Sequence, residues 1–353
     1  MSRNIRHWAT RGIGIGLLGV LVATPILAQQ RERLPRECMR EIRQLCGTDR
    51  SQIRSCLRER YAELSDNCAG ELRERMEQRR GDVARSGRAV EASAAQYTRV
   101  SRTVIFGDDS RQQVDLYEPA DAVEATPLIL FVHGGGWSAG DRVRTVQAKP
   151  AWFNAQGYYF GSTGYRLVPN VTVEEQAADI GAAVQAMRAQ ASAIGFDGSK
   201  IVLMGHSAGA HLAALVASDP QYAGDAFGSI AGVILLDGAG YDIEANLAEA
   251  GPQTWQVYTR AFGEDTARHA ALSPVTHVGG PDAPEWLALY VAERGRAKAQ
   301  AELLTSALSQ AGARAEALSI ENTDHGRMNR EIGLAAGSAQ TDAIKAFLDR
   351  IFG

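Results

Sequence analysis

Three short segments of this chain carry residue types that acyl-transfer chemistry needs. Gly205-His206-Ser207-Ala208-Gly209 follows directly on the apolar run Lys200–Met204 and opens a helical pattern. A serine between two glycines at a strand-to-helix turn is exposed on a sharp bend, where the helix N-terminus favours negative charge developing beside it. His133-Gly134-Gly135-Gly136-Trp137 ends another apolar run, Leu128–Val132. Glycine amides can approach a tetrahedral oxyanion closely, and Gly135, Gly136 and the amide of Ala208 are the expected donors. No Lys-Ser/Thr follows the glycines, which excludes a phosphate loop. His325, in Thr323-Asp324-His325-Gly326, follows the strand pattern Arg314–Ile320. A base that comes last in the order serine, acid, histidine fits only this histidine. Of the others, His269 and His277 read as lid residues, His206 and His211 as local packing, and His133 as a brace for the glycine loop.

The elements that must position these groups alternate between strand and helix. Val100–Phe106 and Gln113–Tyr117 read as strands joined by a Gly107–Ser110 turn, and Pro127–Val132, Tyr158–Tyr165, Lys200–Met204, Ala231–Leu236, Trp286–Val291 and Arg314–Ile320 as further strands. Helices are expected over Thr172 to about Ala193, His206–Ser218, Ala297–Ala311 and Asp342–Phe352. Continuous apolar strands alternating with helices imply a mostly parallel sheet covered on both faces. Gly240–Ala270 interrupts the rhythm and carries Tyr241, Trp255, Tyr258 and Phe262. Trp255, Tyr258 and Phe262 share one helical face, which suits either a cap over the pocket or an aromatic stripe packed on the core.

With those elements the chain resembles the α/β-hydrolase carboxylesterases of the hormone-sensitive-lipase-like and feruloyl-esterase-like groups. HGGGW, GYRLVP at Gly164–Pro169, GHSAGAHLA at Gly205–Ala213 and DHGRMNREIG at Asp324–Gly333 carry the resemblance, which spans about Val100 to Gly353. It implies an α/β-hydrolase fold, hydrolysis of small-molecule carboxylic esters through an acyl-serine intermediate, and no metal or organic cofactor. One departure concerns the acid. The family places an Asp after the strand equivalent to Trp286–Val291, often within GDxD, but here the segment reads Tyr290-Val-Ala-Glu293-Arg-Gly295-Arg. The second acidic position falls at Gly295, so Glu293 is the expected triad acid, with Asp242 and Asp237 after the preceding strand as fallbacks. An arylformamidase-like amide hydrolase and a catalytically silent hydrolase-fold binding protein are the alternatives.

The first hundred residues read differently. Arg3, Arg6 and Arg11 precede an apolar stretch, Gly12–Ala23, that is shorter than a membrane span. Residues 1–28 therefore read as a secretory signal peptide, with cleavage after Ala28. The mature chain is expected in the periplasm or outside the cell, without stable membrane insertion. All four cysteines, Cys38, Cys46, Cys56 and Cys68, follow within residues 29–72, where the apolar spacing is helical on both sides of a Gly47-Thr48-Asp49 break. Ser51 could cap the second helix, whose stripe is Ile53, Cys56, Leu57, Tyr61 and Leu64. Cys38 and Cys46 lie about 12 Å apart along one helix, beyond the ~7 Å reach of a disulfide. An antiparallel hairpin pairs residues about a common midpoint, which predicts the nested bridges Cys46–Cys56 and Cys38–Cys68. No CxxC or CxxH spacing supports a metal site. The run resembles the cysteine-rich repeat of Golgi apparatus proteins, which implies a stapled accessory element suited to docking a partner. Residues 73–96 read as a linker and residues 97–353 as the hydrolase domain.

Charge follows the same division. Residues 29–96 hold 15 arginines and 12 acids, whereas residues 97–353 hold 19 bases and 29 acids. An acidic body of this kind excludes a nucleic-acid binder.

Overall fold

A computed structural model describes residues 35–47, 56–57, 60–65, 67–72, 99–120, 122 and 126–353. The segment expected to be a signal peptide, Ser51, Ile53 and residues 73–96, expected to be a linker, lie outside the described residues. The chain divides into two compact units, before and after residue 87.

In the first unit, helix α1 (Arg36–Cys46) buries Cys38 and Ile42 against Leu64 and Cys68. The bridges are Cys38–Cys68 and Cys46–Cys56, with Cα separations of 5.1 and 5.7 Å, the nested pairing that antiparallel geometry predicts. Of the second expected helix, residues 56–57 are helical. Tyr61–Glu63 is a 3-10 turn, Leu64 is extended, and helix resumes over residues 67–72. Ser65, just past the stripe, accepts from the Cys68 amide through its hydroxyl and so acts as an N-cap for the restart. The same hydroxyl donates to Glu41 across the hairpin at 2.7 Å.

The second unit is built on one eight-stranded sheet. Its strands are β1 (Arg102–Ile105), β2 (Gln113–Tyr117), β3 (Leu128–Val132), β4 (Tyr159–Thr163), β5 (Ile201–His206), β6 (Ile230–Leu236), β7 (Glu285–Val291) and β8 (Arg314–Ile320). Their order is β1-β2-β4-β3-β5-β6-β7-β8, and only the β1–β2 and β2–β4 pairs are antiparallel. The central strands β3 and β4 are buried along their whole length, as apolar runs covered on both faces must be. β1 and β8 form the edges and are mostly exposed or half-buried, with only Val104 and Ile320 buried.

Helices α2 (Lys149–Ala155), α3 (Val173–Ile194) and α4 (Ala208–Ser218) follow β3, β4 and β5. Thr172 and Glu175 make a reciprocal capping box that starts α3, and Gly195, in the left-handed region, stops it. Between β6 and β7 lie α5 (Ile243–Ala248), α6 (Pro252–Phe262) and α7 (Thr266–Leu272). α8 (Gly295–Ala311), α9 (His325–Arg330) and α10 (Ser338–Phe352) complete the unit. α3, α4 and α8 fill the core on one sheet face with Ile180, Val184, Leu212 and Leu304, and α2 and α10 fill the other with Phe153, Ile344 and Phe347. Because these strands run parallel, the C-terminal ends of β3, β5, β6, β7 and β8 lie at one end of the sheet, where the chemistry-bearing loops gather.

Candidate active site

Ser207 is the bend between β5 and α4, with φ of 56° and ψ of −121°. Such a conformation is strained for a residue with a Cβ, and the packing that holds it requires glycine on both sides. A Cβ on Gly205 would lie 2.2 Å from the Gly209 carbonyl oxygen, and one on Gly209 would lie 2.2 Å from that of Val132. The elbow therefore sits directly on the end of β3, from which the glycine loop departs. That loop folds back against the serine: a Cβ on Gly134 would be 3.0 Å from Ser207 Cβ. Gly135 and Gly136 take φ values of 135° and 55°. Among the described residues, none accepts a hydrogen bond from the amides of Gly135, Gly136 or Ala208, so all three donors are available to a ligand oxygen.

His325 opens α9, which Asp324 caps through the Arg327 amide. Its Nε2 accepts from Ser207 Oγ at 3.0 Å, and its Nδ1 donates to Asp237 Oδ2 at 2.6 Å. Asp237 follows directly on β6, and its side chain is fully buried. The Val291 amide of β7 donates to its other oxygen at 3.1 Å. Burial pushes this carboxyl upward, but the His325 bond, the Arg294 guanidinium and the Val291 amide outweigh it, and Asp237 stays below the ordinary aspartate value.

The acid facing His325 is thus Asp237 and not Glu293. β6 and β7 are neighbours in the sheet, so both strand ends lie within reach of the imidazole. The turn after β7 sends Glu293 into solvent and brings Arg294 inward, where Nη1 donates to Asp237 Oδ2 and lies 2.6 Å from His325 Nδ1. Asp242 is an N-cap, accepting from the Ala245 amide at 3.0 Å at the start of α5.

Three further histidines support the site from beneath, and burial dominates in all three. His206 is driven down to about 3 and donates from Nε2 to the His325 carbonyl at 2.8 Å, holding the base's backbone. His133, at about 4, donates from Nδ1 to the Gly134 carbonyl and stacks on Tyr165 with ring centroids 4.3 Å apart. The Tyr165 hydroxyl donates to the His133 carbonyl at 2.8 Å. His211, also at about 4, donates from Nε2 to the Leu272 carbonyl and accepts from the Trp137 indole. Neutral rings with one donor and one acceptor brace the glycine loop without adding charge to it.

The insertion between β6 and β7 reaches this loop. Tyr258 and Phe262 of α6 pack edge-on against Trp137, with centroids 5.0 and 4.7 Å away. Trp255 does not join them: it is 45% exposed, because the helix turns only its C-terminal half onto the loop. Val257, 42% exposed, sits beside Gly136, with its Cγ1 3.1 Å from where a Cβ of that glycine would be. Arg296 bonds Thr254 at 2.9 Å, and Arg268 pairs with Glu174 of α3 at 2.7 Å, which fasten the insertion at both ends. His269 and His277 take part in this fastening, His269 on Glu244 and the Gly263 carbonyl and His277 near Asp219. Among the described residues no cluster of ligating side chains could hold a metal.

This architecture recurs in known structures. Esterase B from Lactobacillus rhamnosus superposes with a TM-score of 0.60 at 22% identity, over 78% of this chain and 94% of that one. Thermogutta terrifontis esterase Est2 in its butyrate-bound form does so at 0.58 and 23%, over 72% and 95%. The second unit has the α/β-hydrolase fold. Residues 114–230 match the BD-FAE family, in line with the likeness to hormone-sensitive-lipase-like and feruloyl-esterase-like proteins read from the motifs. Among curated relatives, esterase LipC of Mycobacterium tuberculosis is 31% identical over 44% of this chain and 37% of its own length. Isoprenylcysteine α-carbonyl methylesterase ICME of Arabidopsis thaliana is 32% identical over 33% and 27%. Kynurenine formamidase of Danio rerio is 26% identical over 66% and 76%. The matches to LipC and ICME thus take in well under half of those enzymes.

Proposed function

We propose that the α/β-hydrolase unit hydrolyses carboxylic esters of small molecules through an acyl-serine intermediate. The observation that carries this reading is the unbroken chain Ser207 Oγ–His325 Nε2, His325 Nδ1–Asp237 Oδ2, at 3.0 and 2.6 Å. His325 takes the Ser207 proton as Oγ attacks the ester carbonyl, and Asp237 stabilises the resulting imidazolium. The amides of Gly135, Gly136 and Ala208 receive the oxyanion. As the tetrahedral adduct collapses, the imidazolium returns the proton to the departing alkoxide, and the alcohol leaves. Water then attacks the acyl-serine, giving its proton to His325. Collapse of the second adduct releases the carboxylic acid and restores the Ser207 hydroxyl.

The same machinery would cleave an activated amide. The formamidase match, which takes in more of both chains than those to LipC and ICME, supports a second reading as an arylformamide hydrolase. The two disulfides support an exported location, since such bonds persist in oxidising compartments. No helix among the described residues is long and apolar enough to cross a membrane.

The test is a panel of p-nitrophenyl esters and an N-formyl anilide, with Ser207→Ala as control and a fluorophosphonate probe as label. Ester turnover that falls to background in Ser207→Ala, with probe attached to Ser207 in the parent chain, is expected. Preference for the formyl anilide would move the assignment to the second reading. Turnover that survives Ser207→Ala would overturn both, and absence of labelling would favour a silent binding protein.

A further inference from the structure

Val257 stands against the oxyanion loop without belonging to the core. A Cβ on Gly136 would lie 3.1 Å from its Cγ1, and among the described residues outside the loop nothing else comes within 4 Å of that point. The side chain is nevertheless 42% exposed, so it faces the mouth of the site instead of filling the packing beneath. Its place is fixed from both directions along α6. Tyr258 and Phe262 meet Trp137 edge-on, and Thr254, one turn earlier, accepts from Arg296 at 2.9 Å. A valine within a helix keeps one χ1 rotamer about 90% of the time. The methyl beside Gly136 is therefore a rigid wall.

Which part of a substrate meets that wall follows from the two faces of the sheet. α9, which His325 opens, packs through Met328 with Phe153 and Ile344 on the face covered by α2 and α10. α6 packs through Tyr258, Ala261 and Phe262 with Leu212 on the opposite face. Ser207, at the end of a central strand, lies between the two. The leaving oxygen must reach His325 Nε2 to take its proton, which puts the alcohol on the α9 side. With the oxyanion on the loop amides, the acyl group is left with the α6 side. We propose that Val257 is a specificity-determining residue that limits bulk at the acyl α-carbon, so that the site takes esters of unbranched carboxylic acids and turns away α-branched ones. The inference rests on the acyl-serine reading. The α-carbon is bonded to the carbon that bears the oxyanion, so it is the first acyl atom to pass Gly136. A methyl branch there is carried toward Val257 Cγ1.

The experiment measures kcat/KM on the full chain with two series of esters. p-Nitrophenyl acetate and p-nitrophenyl isobutyrate vary the acyl group, and phenyl acetate and 1-naphthyl acetate vary the alcohol. Val257→Ala is expected to raise the isobutyrate-to-acetate ratio about tenfold over the parent, the lower end of what one methylene decides in an apolar pocket, because the wall is partly open to solvent. Val257→Phe is expected to lower that ratio by a similar factor. The naphthyl-to-phenyl ratio should stay within about twofold of the parent in both variants. Acyl ratios that stay within about twofold in both variants overturn the inference. So does an isobutyrate ratio that falls in Val257→Ala, which would make the valine a contact and not a limit, or a shift confined to the alcohol series. Acetate turnover that survives Ser207→Ala would instead overturn the acyl-serine reading itself, whatever the ratios do.

Discussion

Asp237→Asn tests which carboxylate serves the base, and the structure sets the size of the loss. The buried Asp237 side chain offers one oxygen to the Val291 amide and the other to both His325 and Arg294. An asparagine must place its NH2 toward one side or the other. Facing His325 and Arg294 it would meet two donors, and facing Val291 it would meet only one, so the amide oxygen turns toward the imidazole. The productive tautomer then survives, and the loss is that of a buried negative charge. At a charge separation near 4 Å and an effective dielectric constant near 20, that is about 4 kcal/mol, or about 10³-fold in kcat. This is less than the ~10⁴-fold drop of the triad template, where the tautomer is lost as well. Initial rates on a short p-nitrophenyl ester at saturation, beside Glu293→Gln and Asp242→Asn, make the measurement. Both companions should stay within about twofold, since Glu293 is exposed and Asn caps a helix nearly as well as Asp. A loss below tenfold in Asp237→Asn, or above tenfold in Glu293→Gln, refutes the assignment.

Tyr165→Phe keeps the ring stacked on His133 but leaves a buried carbonyl unpaired, which should cost about 1–3 kcal/mol and lower the melting temperature by several degrees; an unchanged Tm would count against the brace. His133, His206 and His211 are buried neutral with values near 4, 3 and 4. Because these values are depressed, their stabilisation is complete above the unfolded value of 6.5 and is lost as pH falls toward 4 and below. The unfolded chain then binds up to three more protons, so stability should decline by at most about 4 kcal/mol per pH unit in that window, and Tm flat from pH 8 to 4 would contradict the burial. Reducing agent should open both bridges of the first unit, visible as slower migration and alkylation at Cys38, Cys46, Cys56 and Cys68, while ester turnover by the cysteine-free second unit stays unchanged.

The parts of the site legible in the sequence are those written as contiguous segments. Ser207 needs glycines two residues away on each side, and the oxyanion donors need their own run of glycines, so local sterics print both in the chain. His325 is legible because it follows the last strand and opens a helix that Asp324 caps. The acid is different. Two neighbouring strands end within reach of one imidazole, and which of them supplies the carboxylate depends on how the turn after β7 faces Glu293 and Arg294. A signal existed, since Asp237 follows the apolar run Ile230–Leu236 without a gap, but Glu293 stands at a similar distance from its own strand. The cap shows the same limit. Helical spacing groups Trp255 with Tyr258 and Phe262, yet only tertiary contact with Trp137 decides which of them is covered. In the hairpin, the Ser65 cap on the Cys68 amide is a local hydrogen bond that helical periodicity does not announce.

The outer bridge of the hairpin also alters how the chain would carry a load. Thirty residues separate Cys38 from Cys68, enough to extend roughly 100 Å as free chain. Their Cα atoms lie 5.1 Å apart, and the covalent path runs directly between them. Tension applied to the segments on either side therefore bypasses the helices and the inner loop entirely. Mechanically the module is a single short link, unable to pay out slack, and in a pulling experiment it would add contour length only after reduction.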